Sequence, residues 1–338
     1  MRGASSRARR LALGALSAGC AAGLAACGGG GAGGSSTEAV AWVATGASVT
    51  EPGTAVTPVD LLTRTKSSAV SVGSLPSAMA LTRSGRDLLV VSQGDDTLSE
   101  IDLATDAVVH SVHVGVEPDA VAVAPGGTGG AGIALVANLD SDSVTPVDLG
   151  TWRARPPIPV GTEPDAVAVD ASSATLGTVF VADFGSNEVT PIDLEKLQAG
   201  APLPVGPEPD VLVVAGASVL VGNFGDDTVT PIGASTLQVS PPVALPFDPT
   251  GAAAVASGST VWFCGGSAIT ALSLRGLVVG TPITLPGVAE AIAANPSGTE
   301  AYVAQQDGVL VPVDLGTKIV GRPIHLGGHP SAVVLARG

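Results

Sequence analysis

From about residue 40 onward the chain is written as short apolar runs separated by short polar breaks, in a fixed order that returns again and again. An apolar run follows a proline, as in "DAVAVAP". A second follows a Gly/Ser loop, as in "GIALVAN" and "GTVFVAD". A polar turn comes next, then a run alternating apolar and polar positions, "SVTPVDL", "EVTPIDL" or "TVTPIGA". A short last run, "PPIPVG" or "APLPVG", leads into the next copy. Runs of this length and period predict β-strands. The breaks "NLDSDS", "FGSN" and "FGDD" supply the Asn, Asp and Gly that tight hairpins need where φ is positive. Each unit therefore predicts four antiparallel strands, here called A to D.

The strongest copies read "VGVEPDAVAV" from Val114, "VGTEPDAVAV" from Val160 and "VGPEPDVLVV" from Val205. Aligned on the proline, the copies fall at Pro76, Pro118, Pro164, Pro209, Pro249 and Pro330, with Ala289 in the proline slot of a degenerate copy. The spacings are 42, 46, 45, 40, 40 and 41. Self-similarity near 40 residues is the mark of a propeller blade. Seven markers announce seven A strands, but only "HPSAVVLARG" follows the last one. The missing B, C and D strands are supplied by "AVAWVAT", "AVTPVDLLT" and "SSAVSVG" at the other end of the chain. The expected fold is all-β: a seven-bladed propeller with four antiparallel strands per blade. Its last blade is closed by the N-terminal strands plus the C-terminal strand, leaving no open edge. Residues 39–338 should then be one domain.

The units "VFVADFGSNEVTPIDL" and "ALVANLDSDSVTPVDLGT", each followed by "PVGxEPDAVAV"-like text, resemble the YVTN-type β-propeller repeat. The resemblance spans about 300 residues and is faint in "WFCGGSAITALSL". It implies a seven-bladed fold and an exported or surface protein, in a family that hosts scaffold and binding roles. It carries no shared catalytic set.

The first 38 residues read differently. "MRGASSRARR" is basic, "LALGALSAGCAAGLAAC" is apolar but short for a membrane span, and "GGGGAGGSS" has no core-forming side chain. Leu24, Ala25, Ala26 and Cys27 resemble a bacterial lipobox, which implies lipidation of Cys27. The expected organisation is a lipoprotein signal peptide over 1–26, a Gly/Ser-rich tether over 27–38 and the propeller after it. Cys20 is then lost and Cys27 acylated, so Cys264 stands alone and packing, not disulfides, must stabilise the fold. Composition fits: hydrophobic residues make up 45% of the chain but aromatics only 3%, and the formal net charge is −15. Such a chain repels nucleic acid and anionic lipid headgroups and favours basic partners or cations.

In this topology the D-to-A and B-to-C connections share one end of the strands, and these connections hold the acidic residues. The D-to-A links carry Glu117, Asp119, Glu163, Asp165, Glu208, Asp210 and Asp248. The B-to-C turns carry Asp95, Asp96, Asp140, Asp142, Asp183, Asn187, Asn223, Asp226 and Asp227. Asp119, Asp165 and Asp210 are expected to open adjacent inner strands at one mouth of the bore, where like charges favour a cation such as calcium. Asp and Asn also serve turns for backbone reasons alone. His329 sits in the final D-to-A link, the one histidine placed to act there. His110 and His113, three apart on an outer strand, fall on opposite faces. Phe184 and Phe224 suggest either an aromatic rim or packing between blades. Cys264 reads as a small core residue. No His-Glu-x-x-His, Cys-x-x-Cys, Gly-x-Ser-x-Gly or phosphate-binding glycine loop occurs.

These observations lead to a non-enzymatic, monomeric, extracytoplasmic propeller, held to the membrane only by its lipid anchor. Its acidic end would bind an envelope protein, a peptide or another cationic ligand; no cofactor is expected unless a divalent cation sits there. A metal-assisted hydrolase or lyase of a lactone or sugar-like substrate, and an inert envelope structural protein, are the alternatives.

Overall fold

The computed structural model describes residues 40–45, 53–125, 130–170, 177–256 and 258–336. The leader, Cys27 and the tether lie outside the described residues. Seven antiparallel sheets account for the rest, each of four strands in chain order. The inner A strands are Pro76–Leu81, Pro118–Ala124, Pro164–Asp170, Pro209–Ala215, Gly251–Ala254, Ala289–Ala294 and Ala332–Ala336. Each neighbours the next, and the last neighbours the first, so the ring is closed. In the third blade, strand A runs antiparallel to strand B (Thr178–Asp183), and B to strand C (Glu188–Asp193). The seventh blade is built from both chain ends: Val40–Ala44 pairs with Ala332–Ala336, and Val40–Thr45 with Ala55–Asp60. Every described strand lies within this ring, so its hydrogen bonding is complete without the residues that precede Val40.

Strands A to C are buried on both faces because each blade is sandwiched between two others. The core clusters run between neighbours; Ala166, Ala168 and Phe180 of the third blade, for example, pack on Leu212, Val219 and Val221 of the fourth. The wedge shape of a blade sorts side chains by size. Inner strands use Ala120, Ala122, Ala124, Ala166, Ala168, Ala291 and Ala293, where neighbours crowd. The large, fully buried Phe180 and Phe263 belong to B strands, where the blades diverge. Cys264 is wholly buried, and burial pushes its thiol up to about 12. It is an inert packing residue.

The outer D strands are mostly not continuous. Four blades pair strand C with two short strands, such as Arg153–Ala154 and Ile158–Pro159 in the second and Gln198–Ala199 and Leu203–Pro204 in the third. The sequence gives the reason, since "RARPPIP", "QAGAPLP" and "VVGTPIT" place Pro, which has no N–H, where the ladder would continue. The first blade, with "AVVHSVH", keeps a seven-residue strand, Ala107–His113. His110 and His113 do fall on different faces there: His110 Nδ1 lies 2.7 Å from Glu100 Oε2 and its ring stacks on Trp152 at 4.9 Å.

The C-to-D turns explain the recurrent Asp that ends strand C. Asp60, Asp102, Asp148, Asp193 and Asp314 each accept, through Oδ1, the N–H groups two and three residues on, at 2.7–3.1 Å. The residue after them takes a left-handed φ, as at Arg64, Asp106, Trp152, Leu197 and Lys318. These bonds hold the Asp60 and Asp314 carboxyls below the usual range, chiefly through Thr63 and Thr317. Asp148 and Asp193 are lowered mainly by Arg155 and Lys196.

Candidate functional site at the acidic end of the ring

The D-to-A links and B-to-C turns meet at one end of the ring and interlock there. In each strong repeat the residue before the marker proline has a left-handed φ: 51° at Glu117, 51° at Glu163 and 52° at Glu208. Its N–H donates to the side chain of the preceding blade's B-to-C turn, Glu117 to Asp96 Oδ1, Glu163 to Asp142 Oδ1 and Glu208 to Asn187 Oδ1, at 2.8–2.9 Å. Its carbonyl accepts from its own blade's turn, from Leu139, Phe184 and Phe224 N–H at 2.8–2.9 Å. Asp96, Asp142 and Asn187 therefore have a backbone task, locking one blade's turn to the next blade's entry.

The glycine of "VGxxP" has a different task. A Cβ on Gly115 would lie 2.5 Å from Asn138 Cγ, on Gly161 2.6 Å from Asp183 Cβ, and on Gly206 2.5 Å from Asn223 Cγ. The side chain that closes strand B fills the space a Cβ would need.

After the marker position, strand A bulges in five blades, leaving one residue out of register with strand B, and in the fifth and seventh the same residue directly precedes the strand. Around the ring that slot holds Ser77, Asp119, Asp165, Asp210, Thr250, Glu290 and Ser331. All but Thr250 are buried. The hydroxyls reach across blades: Ser77 Oγ donates to Pro118 O at 3.1 Å, Thr250 Oγ1 to Ala289 O at 3.1 Å and Ser331 Oγ to Pro76 O at 2.6 Å. Asp119, Asp165 and Asp210 do open adjacent inner strands, but Asp119 and Asp165 are wholly inaccessible and Asp210 only 5% exposed. The accessible charge sits one step outward. Glu117, Glu163 and Glu208 are half-buried and Asp248 exposed, as is His329 at the corresponding place in the seventh blade. Among the described residues no three His, Cys, Asp or Glu side chains converge to hold a metal ion.

Asp183 and Asn223, expected in B-to-C turns, are instead the buried last residues of B strands. Thr190 Oγ1 donates to Asp183 Oδ2 at 2.6 Å, yet burial raises the Asp183 carboxyl to about 7. In the two flanking blades the same slot is Asn, whose Nδ2 donates to Thr145 and Thr230 Oγ1 at 2.9 Å. Glu290 escaped the sequence reading because its repeat is degenerate; its place directly after Ala289 in the marker slot was the available signal. Burial raises it to about 7, against a hydrogen bond from Gln306. Asp248 is raised to about 6, chiefly by its hydrogen bond with Asp227. Phe184 is buried, which makes it a packing residue, whereas Phe224 is partly exposed.

The fold defines the class: a closed seven-bladed β-propeller built from repeats. No family model matches the chain, and no curated protein matches it in sequence. Among solved structures, the Kuenenia stuttgartiensis Hydrazine Synthase superposes with a TM-score of 0.66 at 18% identity, over 76% of this chain and 88% of that one. At that identity the likeness shows the fold alone.

Proposed function

We propose that this chain is a non-enzymatic binding module of the cell envelope, exported, lipidated at Cys27, and related to the YVTN-type propellers. It takes a basic protein or peptide segment on the end of the ring formed by the D-to-A and B-to-C connections. One observation carries the reading. Among the described residues these connections hold Asp95, Asp96, Glu117, Asp140, Asp142, Glu163, Glu208, Asp226, Asp227, Asp248 and Asp307, and no Lys or Arg. A rigid end of one sign attracts partners of the other and speeds their encounter. Asp248, raised chiefly by its hydrogen bond with Asp227 and further by burial and by the charge of Asp227, is the carboxyl a cationic side chain would relieve most. Pro118, Pro164 and Pro209 and the interlocked links make this end stiff, so little ordering opposes binding.

The test is recovery of partners from envelope extract on immobilised residues 39–338, beside the same protein carrying Glu117→Gln, Glu163→Gln and Glu208→Gln. The three side chains are half-buried, and Gln keeps their size and leaves the backbone N–H and C=O groups of the locks in place. The expected result is the same partners at markedly lower yield from the variant, with both yields falling in high salt. Equal recovery from both proteins would remove the acidic end from the account.

A further inference from the structure

The opposite end of the ring is built from A-to-B and C-to-D turns, and three features coincide there. The three most exposed large hydrophobic side chains among the described residues are Leu62 at 71%, Ile319 at 64% and Val278 at 61%. They lie in the seventh, sixth and fifth blades, which are neighbours: Leu62 in the C-to-D turn, Ile319 and Val278 at the start of the outer D segment, where Ile319 O accepts from Asp314 N–H and Val278 pairs with Ser273. At Leu62's place the other blades carry Ala104, Gly150, Glu195, Ser235, Arg275 and Gly316, and at the place of Val278 and Ile319 they carry Thr65, Ala107, Arg153, Gln198 and Gln238. The apolar side chains are thus not something the fold requires at these places. Single exposed apolar residues need no explanation, but three at one end of consecutive blades form a row.

Each member of the row has a cation beside it in sequence: Arg64 for Leu62, Arg275 for Val278 and Lys318 for Ile319. The nearby carboxylates Asp60 and Asp314 are already engaged by the turn N–H groups. Apolar tips flanked by Lys or Arg suit the boundary between acyl chains and headgroup phosphates. The far end, with its carboxylates, is repelled by such a surface.

The chain's own entry is the third feature. Strand B of the seventh blade starts at Val40, and Val40 pairs with Asp60, two residues from Leu62. The described chain therefore enters the ring at this end, beside Leu62.

We propose that this end is a membrane-docking surface: Leu62, Val278 and Ile319 enter the headgroup region of a phospholipid bilayer, with Arg64, Arg275 and Lys318 on the phosphates. The ring then stands with its acidic end facing away from the membrane. The lipidated tether is a separate reading that this orientation suits; docking is a property of the ring itself.

The test uses residues 39–338, which hold the whole hydrogen-bonded ring and lack Cys27, so its failure leaves the lipid-anchor reading intact. The protein is floated with vesicles of phosphatidylglycerol and phosphatidylethanolamine, beside a Leu62→Ser, Val278→Ser, Ile319→Ser variant. The bound fraction should fall at least tenfold in the variant. Because Cys264 is buried, a polarity-sensitive fluorophore can be attached selectively at Ile319→Cys or at Asp226→Cys on the acidic end. Vesicles should shift the emission of the first to the blue and leave the second unchanged. No flotation of the parent protein, equal flotation of the serine variant, or a shift at Asp226→Cys would each overturn the proposal, and would leave a protein partner as the occupant of the row.

Discussion

Asp183 shows how much a single position in a repeat can differ from its counterparts. Asn138 and Asn223 satisfy the closing slot of strand B as neutral donors, whereas Asp183 is a carboxyl in the same buried place, raised to about 7. The folded ring holds this proton up to about pH 7, while the unfolded chain releases it near pH 4. Between those values the folded state binds more protons, so stability falls as pH rises; above about 7 the penalty is complete and constant. Glu290, also raised to about 7, adds to the same slope. Asp183→Asn should therefore stabilise the protein at pH 8 by about 2–3 kcal/mol more than at pH 5. Urea unfolding at the two values checks this, and an equal effect at both would show that Asp183 is charged throughout. The sequence made Asp183 visible as an acid, but not as a buried one: "VADFGSN" does not say whether strand B ends before or after the Asp, and that one residue decides its chemistry.

The repeating element was more legible than its details. Marker prolines predicted where strands A begin, and in the first four blades the strand starts at the proline itself. In the fifth and seventh it starts two residues later, at Gly251 and Ala332. The glycine of "VGxxP" was read only as part of a repeat. The structure gives its cause, a side chain from strand B packed where a Cβ would go. Gly161→Ala should then cost about 1–3 kcal/mol through overpacking. Gly150→Ala, whose nearest contact would be Asp148 Oδ1 at 3.4 Å, should stay within about 0.5 kcal/mol. Thermal melts of the two variants separate a packing requirement from mere repeat history; equal costs would refute the packing explanation. The split D strands were less readable, since period alone cannot tell two paired dipeptides from one weak strand, even with Pro and Gly in view.

At the scale of the molecule, blade number and closure followed from counting, because a chain with seven A strands and an incomplete last blade has one way to remove its open edge. What counting could not supply was depth. The three aspartates singled out as a mouth lie inside the wall at the bulge, and the reachable charge belongs to Glu117, Glu163, Glu208 and Asp248 beside them. Residue type and repeat phase place a carboxylate at an end of the ring, while a one-residue bulge decides whether it faces solvent. The described D-to-A and B-to-C connections hold carboxylates and no Lys or Arg, whereas the other end mixes Asp60, Asp102, Asp148, Asp193 and Asp314 with Arg64, Arg155, Lys196, Arg275 and Lys318. The central claim is that the first of these ends recognises positive charge. Its most direct measurement is fluorescence-anisotropy titration of a labelled deca-lysine peptide with residues 39–338 and with the Glu117→Gln, Glu163→Gln, Glu208→Gln variant at low salt. The account predicts that the variant binds at least about tenfold more weakly, some 1.4 kcal/mol, and that added salt narrows the gap. Equal affinity for the two proteins would contradict it.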